Sequence, residues 1–289
     1  MTAVLSTLTL EVPGACLAYD VHGPLPPADG QPPLLMVGQP MDASGFGTLA
    51  SLFPDRTVVT YDPRGLGRSV RTDGRTDHDP EQQADDVHRL VEALGAGPVD
   101  LFASSGGAVT ALALVAAHPG DVRTLVAHEP PLLGILPDAE QAFAAERAFL
   151  TAYQESGFGA GMAGFIALTS WQGEFPDSFE VPDPGRFGLP TEDDGSRDDP
   201  LLSGASAPVT AYRPDLEALT AASTRVVIAA GTESRGTVTW RTAEALAGGL
   251  DQPLTVFPSH HGGFLGGEHG YAGQPEAFAA RLREVLGGA

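Results

Sequence analysis

Short apolar runs alternate with amphipathic ones through the first half of the chain. "PLLMVG", "RTVVTYD", "PVDLFA" and "VRTLVAHE" are nearly unbroken apolar stretches of strand length. Such runs suit strands buried on both faces, as in a parallel sheet covered by helices. "LTLEV" and "CLAYDV" ahead of them predict an opening hairpin. Between the runs, Val87, Leu90, Val91 and Leu94 recur at i, i+3, i+4 and i+7, which turns one apolar helix face toward a sheet.

The pattern breaks near Pro130 and resumes near Pro214. Helical runs surround Phe143, Leu150 and Tyr153, and again Met162, Phe165 and Ile166. The segment "FPDSFEVPDPGRFGLPTEDDGSRDDP" is rich in Pro, Gly and Asp and predicts a long mobile loop. Strand "TRVVIAAG", a helix near Ala243, strand "PLTVFP" and a helix carrying Phe278, Leu282, Val285 and Leu286 follow. The expected architecture is a doubly wound, mostly parallel α/β domain over residues 1–130 and 214–289. A helical insertion over 131–213 interrupts it.

Composition narrows the chemistry. The formal net charge is −21, and all 16 basic residues are arginine. Without lysine there is neither a Schiff-base lysine nor a phosphate-loop lysine. The acidic balance argues against nucleic acid or an anionic membrane as partner. A single cysteine, Cys16, excludes an internal disulfide framework and a multi-cysteine zinc site. The opening "MTAVLSTLTLEV" lacks the basic and apolar regions of a leader, and no stretch approaches the ~20 apolar residues of a membrane span. A soluble cytoplasmic protein is expected. The acidic run "TEDDGSRDD" does not have the spacing of a calcium loop, so no metal is expected there.

"LFASSGGAVTAL" sets two serines at a strand-to-helix junction. A nucleophile on such a sharp turn needs small residues two places before and after it. For Ser104 those places hold Phe102 and Gly106; for Ser105 they hold Ala103 and Gly107. Steric demand therefore selects Ser105. The competing reading is a polar loop whose serine caps the following helix.

Several stretches together resemble the α/β-hydrolase fold family. "VGQP" (Val37 to Pro40) is similar to the family's His-Gly-x-Pro loop, with the histidine missing. "YDPRGLGRS" (Tyr61 to Ser69) resembles its Asp-x-Arg-Gly-x-Gly-x-Ser loop. "ASSGGA" resembles the elbow with Ala103 for the first glycine, and "SHHGGF" a His-x-Gly-Phe histidine loop. They fall in the family's order over nearly the whole chain. The resemblance implies a serine hydrolase with an α/β-hydrolase sheet, a cap and no cofactor.

By that resemblance His261 is the base, with Gly263 and Phe264 completing its motif; His260 and His269 remain alternatives. His22, His78, His88, His118 and His128 lie in segments that imply surface or packing roles. The family's usual acid position corresponds to Ser234, which carries no charge, and Glu233 stands one residue early. Some members, haloalkane dehalogenases among them, instead carry the acid at the preceding sheet strand's end. That position holds Glu129, between an apolar strand and two prolines. A rigid strand end orients an imidazole better than a loop does, so Glu129 is favoured over Glu233.

The resemblance also implies an oxyanion hole from the backbone amides of Gly106 and Gln39, the Gln39 side chain facing substrate or solvent and Met41 lining the pocket. Phe143, Phe149, Leu150, Met162, Phe165, Ile166 and Trp171 form either a pocket wall or only the insertion's own core. The expected activity is cleavage of an ester, lactone or similar acyl compound, on a small and apolar substrate. The alternatives are a cyclase, acyltransferase or perhydrolase on the same fold, and a binding protein with a dead site. The oligomeric state is open.

Overall fold

The computed structural model describes residues 6–27 and 30–288. Residues 1–5, part of the stretch on which the missing leader was read, lie outside the described residues. Among the described residues nine strands form one sheet: β1 (Ser6–Val12), β2 (Ala15–His22), β3 (Leu34–Val37), β4 (Val58–Tyr61), β5 (Val70–Arg71), β6 (Val99–Ser104), β7 (Val122–His128), β8 (Arg225–Gly231) and β9 (Thr255–Phe257). Their order is β1-β2-β4-β3-β6-β7-β8-β9, with the short β5 paired to β2. β1 and β2 are the expected hairpin, and pairing is parallel from β4 through β9.

Among the described residues, eight α-helices accompany the strands: α1 (Gly47–Ser51), α2 (Pro80–Leu94), α3 (Gly106–Ala117), α4 (Ala139–Ser170), α5 (Ala207–Ala211), α6 (Leu216–Ala221), α7 (Val238–Gly249) and α8 (Pro275–Gly287). α2, α3 and α7 bury their apolar faces on one side of the sheet, α1 and α8 on the other. Alternate strand residues serve the two sides: Leu101 and Ala103 of β6 face one cluster, Phe102 the other. Both sets are apolar because neither face meets water, and this is why the strands read as unbroken runs.

The order β4-β3-β6 reverses the direction in which strands are added, so a crevice opens beyond the C-terminal ends of β3 and β6. Ligands of open α/β sheets bind in such crevices. Val37 and Ala103 are register partners there, which brings the loops starting at Gly38 and Ser105 side by side.

Between β7 and β8 the two expected helical runs are present, and the sequence expectation needs one amendment, in the segment after α4. α4 is not one straight rod. Gly157 adopts φ 81°, ψ −168°, and a β-carbon added at Gly161 or Gly164 would lie 2.6 Å from Cβ of Tyr153 or Phe149. In a straight helix those pairs would be far apart. α4 is therefore a hairpin of two helical limbs in glycine-mediated contact, corresponding to the two helical runs in the sequence.

The segment expected as a long mobile loop is irregular but tethered along its length. Phe175 is buried and its amide donates to Asp138 Oδ2 (2.7 Å). A β-carbon at Gly159 would meet the Pro190 carbonyl, and one at Gly157 the Asp193 carboxylate. Arg197 pairs with Asp193 and lies over the Tyr153 ring. Glycines in α4 make this close approach possible.

Candidate active site

β6 ends at Ser104, and the chain turns at Ser105 into α3 with φ 58°, ψ −131°. This left-handed backbone costs a residue with a side chain ~1–3 kcal/mol. The turn is held by the Ser105 amide donating to the His128 carbonyl (2.9 Å). Gly107 is required by contact, because a β-carbon there would lie 2.5 Å from the Val37 carbonyl oxygen. The Ser105 side chain makes no helix-capping hydrogen bond, so the capping reading fails. Ser104 is 2% exposed, and its Oγ lies 3.2 Å from His128 Nδ1. Of the two hydroxyls, only that of Ser105 sits on the turn.

A second left-handed residue stands at the end of the neighbouring strand. Glu129 has φ 50° and follows β7 directly. It is fully buried, and its carboxylate is satisfied from three sides. The Gly231 amide donates to Oε1 (2.9 Å), the Thr239 hydroxyl to Oε2 (2.6 Å), and His261 Nδ1 lies 2.6 Å from Oε2. Burial pushes the carboxyl up, but the hydrogen bond and charge of His261, with help from His128 and Thr239, hold it well below the usual range. A buried carboxylate paired with one imidazole nitrogen fixes the tautomer and leaves the other nitrogen for proton transfer. His261 Nε2 is free for that role: among the described residues it has no hydrogen-bond partner, and the side chain is 43% exposed.

The other candidates point elsewhere. Glu233 is exposed, and its Oε1 accepts from Gln274 Nε2 (3.0 Å). His260 is engaged within its own loop by the Gly262 amide (3.1 Å) and the Ala272 carbonyl (3.3 Å). His269 is exposed. Gly231 explains how the histidine loop reaches Glu129, since a β-carbon there would lie 2.6 Å from the Ser259 carbonyl oxygen.

The loop after β3 departs from expectation in one respect, the burial of the Gln39 side chain. The Gly106 amide donates to the Gln39 carbonyl at 3.2 Å, a long bond that an incoming oxygen would have to share. The Gln39 side chain does not face solvent; it is 2% exposed, and among the described residues both amide atoms lack a hydrogen-bond partner. Met41 folds back over Gly38 and Gly45 against the cluster around Phe46, which is packing under the loop. "YDPRGLGRS" braces this loop: Asp62 accepts from the Ala43 amide (3.0 Å) and from Arg68 Nε (2.7 Å). Arg64 forms a buried bidentate pair with Asp86 of α2.

Between β7 and β8, Phe143, Phe149, Leu150, Met162 and Phe165 join Leu133, Leu136 and, from α7, Val238 in a cluster separate from both sheet faces. Of these five, Phe149 is buried and Phe143, Leu150, Met162 and Phe165 are half-buried against the cluster. Trp171 stacks on Phe175, and Ile166 is half-buried.

Sequence reasoning missed two residues beside the site, His128 and Thr239. The signal for His128 was present: an apolar strand ending in two adjacent ionisable residues. Thr239 carries no local signal. Far from the site, His88, His118 and Asp121 converge with ligand atoms within 4.8 Å of one another. The two rings stack at 3.8 Å and 8°, and His88 Nδ1 is held by Asp121 at 2.6 Å. Imidazole ligates through lone pairs in the ring plane, and stacked rings do not aim these at one centre.

A family model described as alpha/beta hydrolase fold matches residues 42–157. A Bacillus subtilis (strain 168) protein, "Uncharacterized hydrolase YraK", is 31% identical over 283 residues, covering 96% of this chain and 95% of that protein. Among solved structures, a thermophilic esterase from Thermogutta terrifontis matches with TM-score 0.64 at 23% identity, over 97% of this chain and 98% of the other. The enol-lactonase from Burkholderia xenovorans LB400 matches with TM-score 0.63 at 16% identity, over 97% and 100%. The two structures share the fold, the bacterial relative nearly the full length of sequence, and the chain belongs to the α/β-hydrolase family.

Proposed function

We propose that this hydrolase cleaves a carboxylic ester, lactone or related acyl compound through an acyl-enzyme on Ser105. The observation that carries the reading is the 2.6 Å contact between His261 Nδ1 and the buried Glu129 carboxylate, beside a serine on a strained turn. The esterase and lactonase among the structural relatives act, by name, on compounds of this class. In the first step the Ser105 oxygen adds to the substrate carbonyl carbon while its proton passes to His261 Nε2. The carbonyl oxygen becomes an oxyanion, which the amides of Gly106 and Gln39 stabilise by ~3 kcal/mol each. Collapse breaks the bond to the leaving oxygen, which takes the proton from His261. Water then adds to the acyl-enzyme, giving its proton to His261, and Ser105 recovers that proton as the acid departs. Glu129 stays ionised and stabilises the imidazolium in both halves. The reading keeps residues 131–213 as a cap over a small apolar substrate, with residues 1–130 and 214–289 as the core.

A fluorophosphonate probe tests this directly. Wild type and Ser104→Ala should label, Ser105→Ala should not, and p-nitrophenyl butyrate turnover should vanish only with Ser105. Folded wild-type protein that fails to label would sink the proposal.

A further inference from the structure

We propose that Ser104 and His128 are a positioning pair for Glu129, the Ser104 hydroxyl setting the tautomer of His128 so that its Nε2–H faces the carboxylate. The inference rests on the reading of Ser105, His261 and Glu129 as a triad.

His128 has no solvent exposure, and its ring is boxed by Phe102, Phe257, Phe264 and Phe278 with centroids 5.3 to 6.4 Å away. Such a box suits a phenylalanine. An imidazole in it gains no extra packing and leaves Nε2 without a hydrogen bond, which costs stability. Its polar neighbours account for it. Nδ1 lies 3.2 Å from Ser104 Oγ, and Nε2 lies 3.9 Å from Glu129 Oε1.

A neutral imidazole has one N–H and one lone pair. With the hydrogen on Nδ1, the Nε2 lone pair would face an ionised carboxylate, an unfavourable contact in a buried site. With the hydrogen on Nε2, the positive end of the dipole faces Glu129 and the Ser104 hydroxyl donates to Nδ1. Only this arrangement suits both neighbours. At 3.9 Å the N–H acts on Oε1 as a dipole, while Oε2 accepts from His261. The titratable groups around the ring are Glu129, directly after β7, and, from the loop after β9, His261 at 6.1 Å between centroids and His260. β6 contributes the Ser104 hydroxyl and Phe102, and α8 contributes Phe278. Burial pushes the imidazole down to about 4, so it is neutral at the pH 7.5 of the test. Strand alternation separates the two serines: Ser104 bonds beneath the site, and Ser105 stands at the turn.

The test compares His128→Phe, His128→Gln and Ser104→Ala on p-nitrophenyl butyrate. His128→Phe should remain folded at pH 7.5 with equal or greater stability, because the ring suits its box. Its kcat should fall about tenfold with KM within about twofold, the mark of lost transition-state positioning. Without the facing N–H, the Glu129 charge is less screened and holds the His261 proton to higher pH, so the acid limb of kcat/KM should move upward. His128→Gln carries an amide N–H near the Nε2 position and should recover most of kcat. Ser104→Ala should lose less than His128→Phe. The inference is overturned if His128→Phe keeps wild-type kcat and pH profile, if Gln and Phe lose equally, or if the loss merely follows the unfolded fraction. Fluorophosphonate labelling separates the two readings. If wild type labels through Ser105 and His128→Phe is unaffected, only the positioning role is lost; if wild type does not label, the triad reading fails and this inference with it.

Discussion

Burial alone would favour a protonated Glu129, yet an amide, a hydroxyl and an imidazole all approach its two oxygens. Their combined pull exceeds the desolvation penalty and keeps the charge in place. Replacing Glu129 by Gln preserves shape but removes that charge and offers His261 an amide that can enforce the wrong tautomer. Glu129→Gln should lower kcat on p-nitrophenyl butyrate by about 10³–10⁴-fold, the scale at which a triad acid acts. Glu233→Gln, altering an exposed carboxylate bonded to Gln274, should stay within about twofold. A large loss at Glu233 with little at Glu129 would reverse the assignment.

At the scale of elements, the hairpin of α4 makes a prediction opposite in sign to helix propensity. Alanine is better than glycine in a helix by ~1 kcal/mol, so intrinsic preference favours Gly161→Ala and Gly164→Ala. The packed structure disfavours both, since each new methyl would lie 2.6 Å from Cβ of Tyr153 or Phe149 and force the limbs apart. Overpacking of this kind costs ~1–3 kcal/mol. Each variant should therefore melt several degrees below wild type, by roughly 2–4 °C per kcal/mol. An unchanged or higher melting temperature would mean that the limbs do not meet. α2 presents the simpler case, in which local rules and packing agree. Asp79 accepts from the Glu81 and Gln82 amides, Pro80 opens the helix, and Gly95 at φ 60° closes it.

The whole molecule carries two buried neutral imidazoles that link stability to pH. His128 lies beneath the site, and His78, ahead of α2, is tied to the segment between β7 and β8: its amide donates to the Ala205 carbonyl (2.8 Å) and its Nδ1 lies 3.1 Å from Ser206 Oγ. Burial pushes both down to about 4, from 6.5 in the unfolded chain. Between those values the unfolded state binds more protons, so stability falls as pH drops from 6.5 toward 4. At pH 5 each histidine should cost about 2 kcal/mol relative to pH 7.5. The net charge of −21 acts in the other sense, because self-repulsion relaxes as the pI of about 4.5 is approached. A comparison between variants largely cancels that term. Urea midpoints at pH 7.5 and 5.0 should differ less in His128→Phe and His78→Gln than in wild type. Identical pH differences would show that these rings do not carry the acid sensitivity. No helix among the described residues is long and apolar enough to cross a membrane.

The sequence by itself determined whatever depends on neighbours in the chain. Unbroken apolar runs specify strands buried on both faces, and the i, i+3, i+4 pattern specifies α2. The sizes of Phe102 and Ala103 distinguish the two serines because an elbow's crowding comes from residues two places away. Tertiary structure alone decided what depends on convergence. Glu129 and His261 are 132 positions apart, and which glutamate meets the imidazole follows from β8 lying beside β7 with a glycine at its end. The supposed mobile loop proved tethered because its partners, glycines and Asp138, lie on another element. The Gln39 side chain, expected to face substrate or solvent, is buried away from solvent, and Met41 packs half-buried against the cluster around Phe46. Local patterning is encoded by residues in succession, whereas a site made from several strand ends exists only once the sheet order brings those ends together.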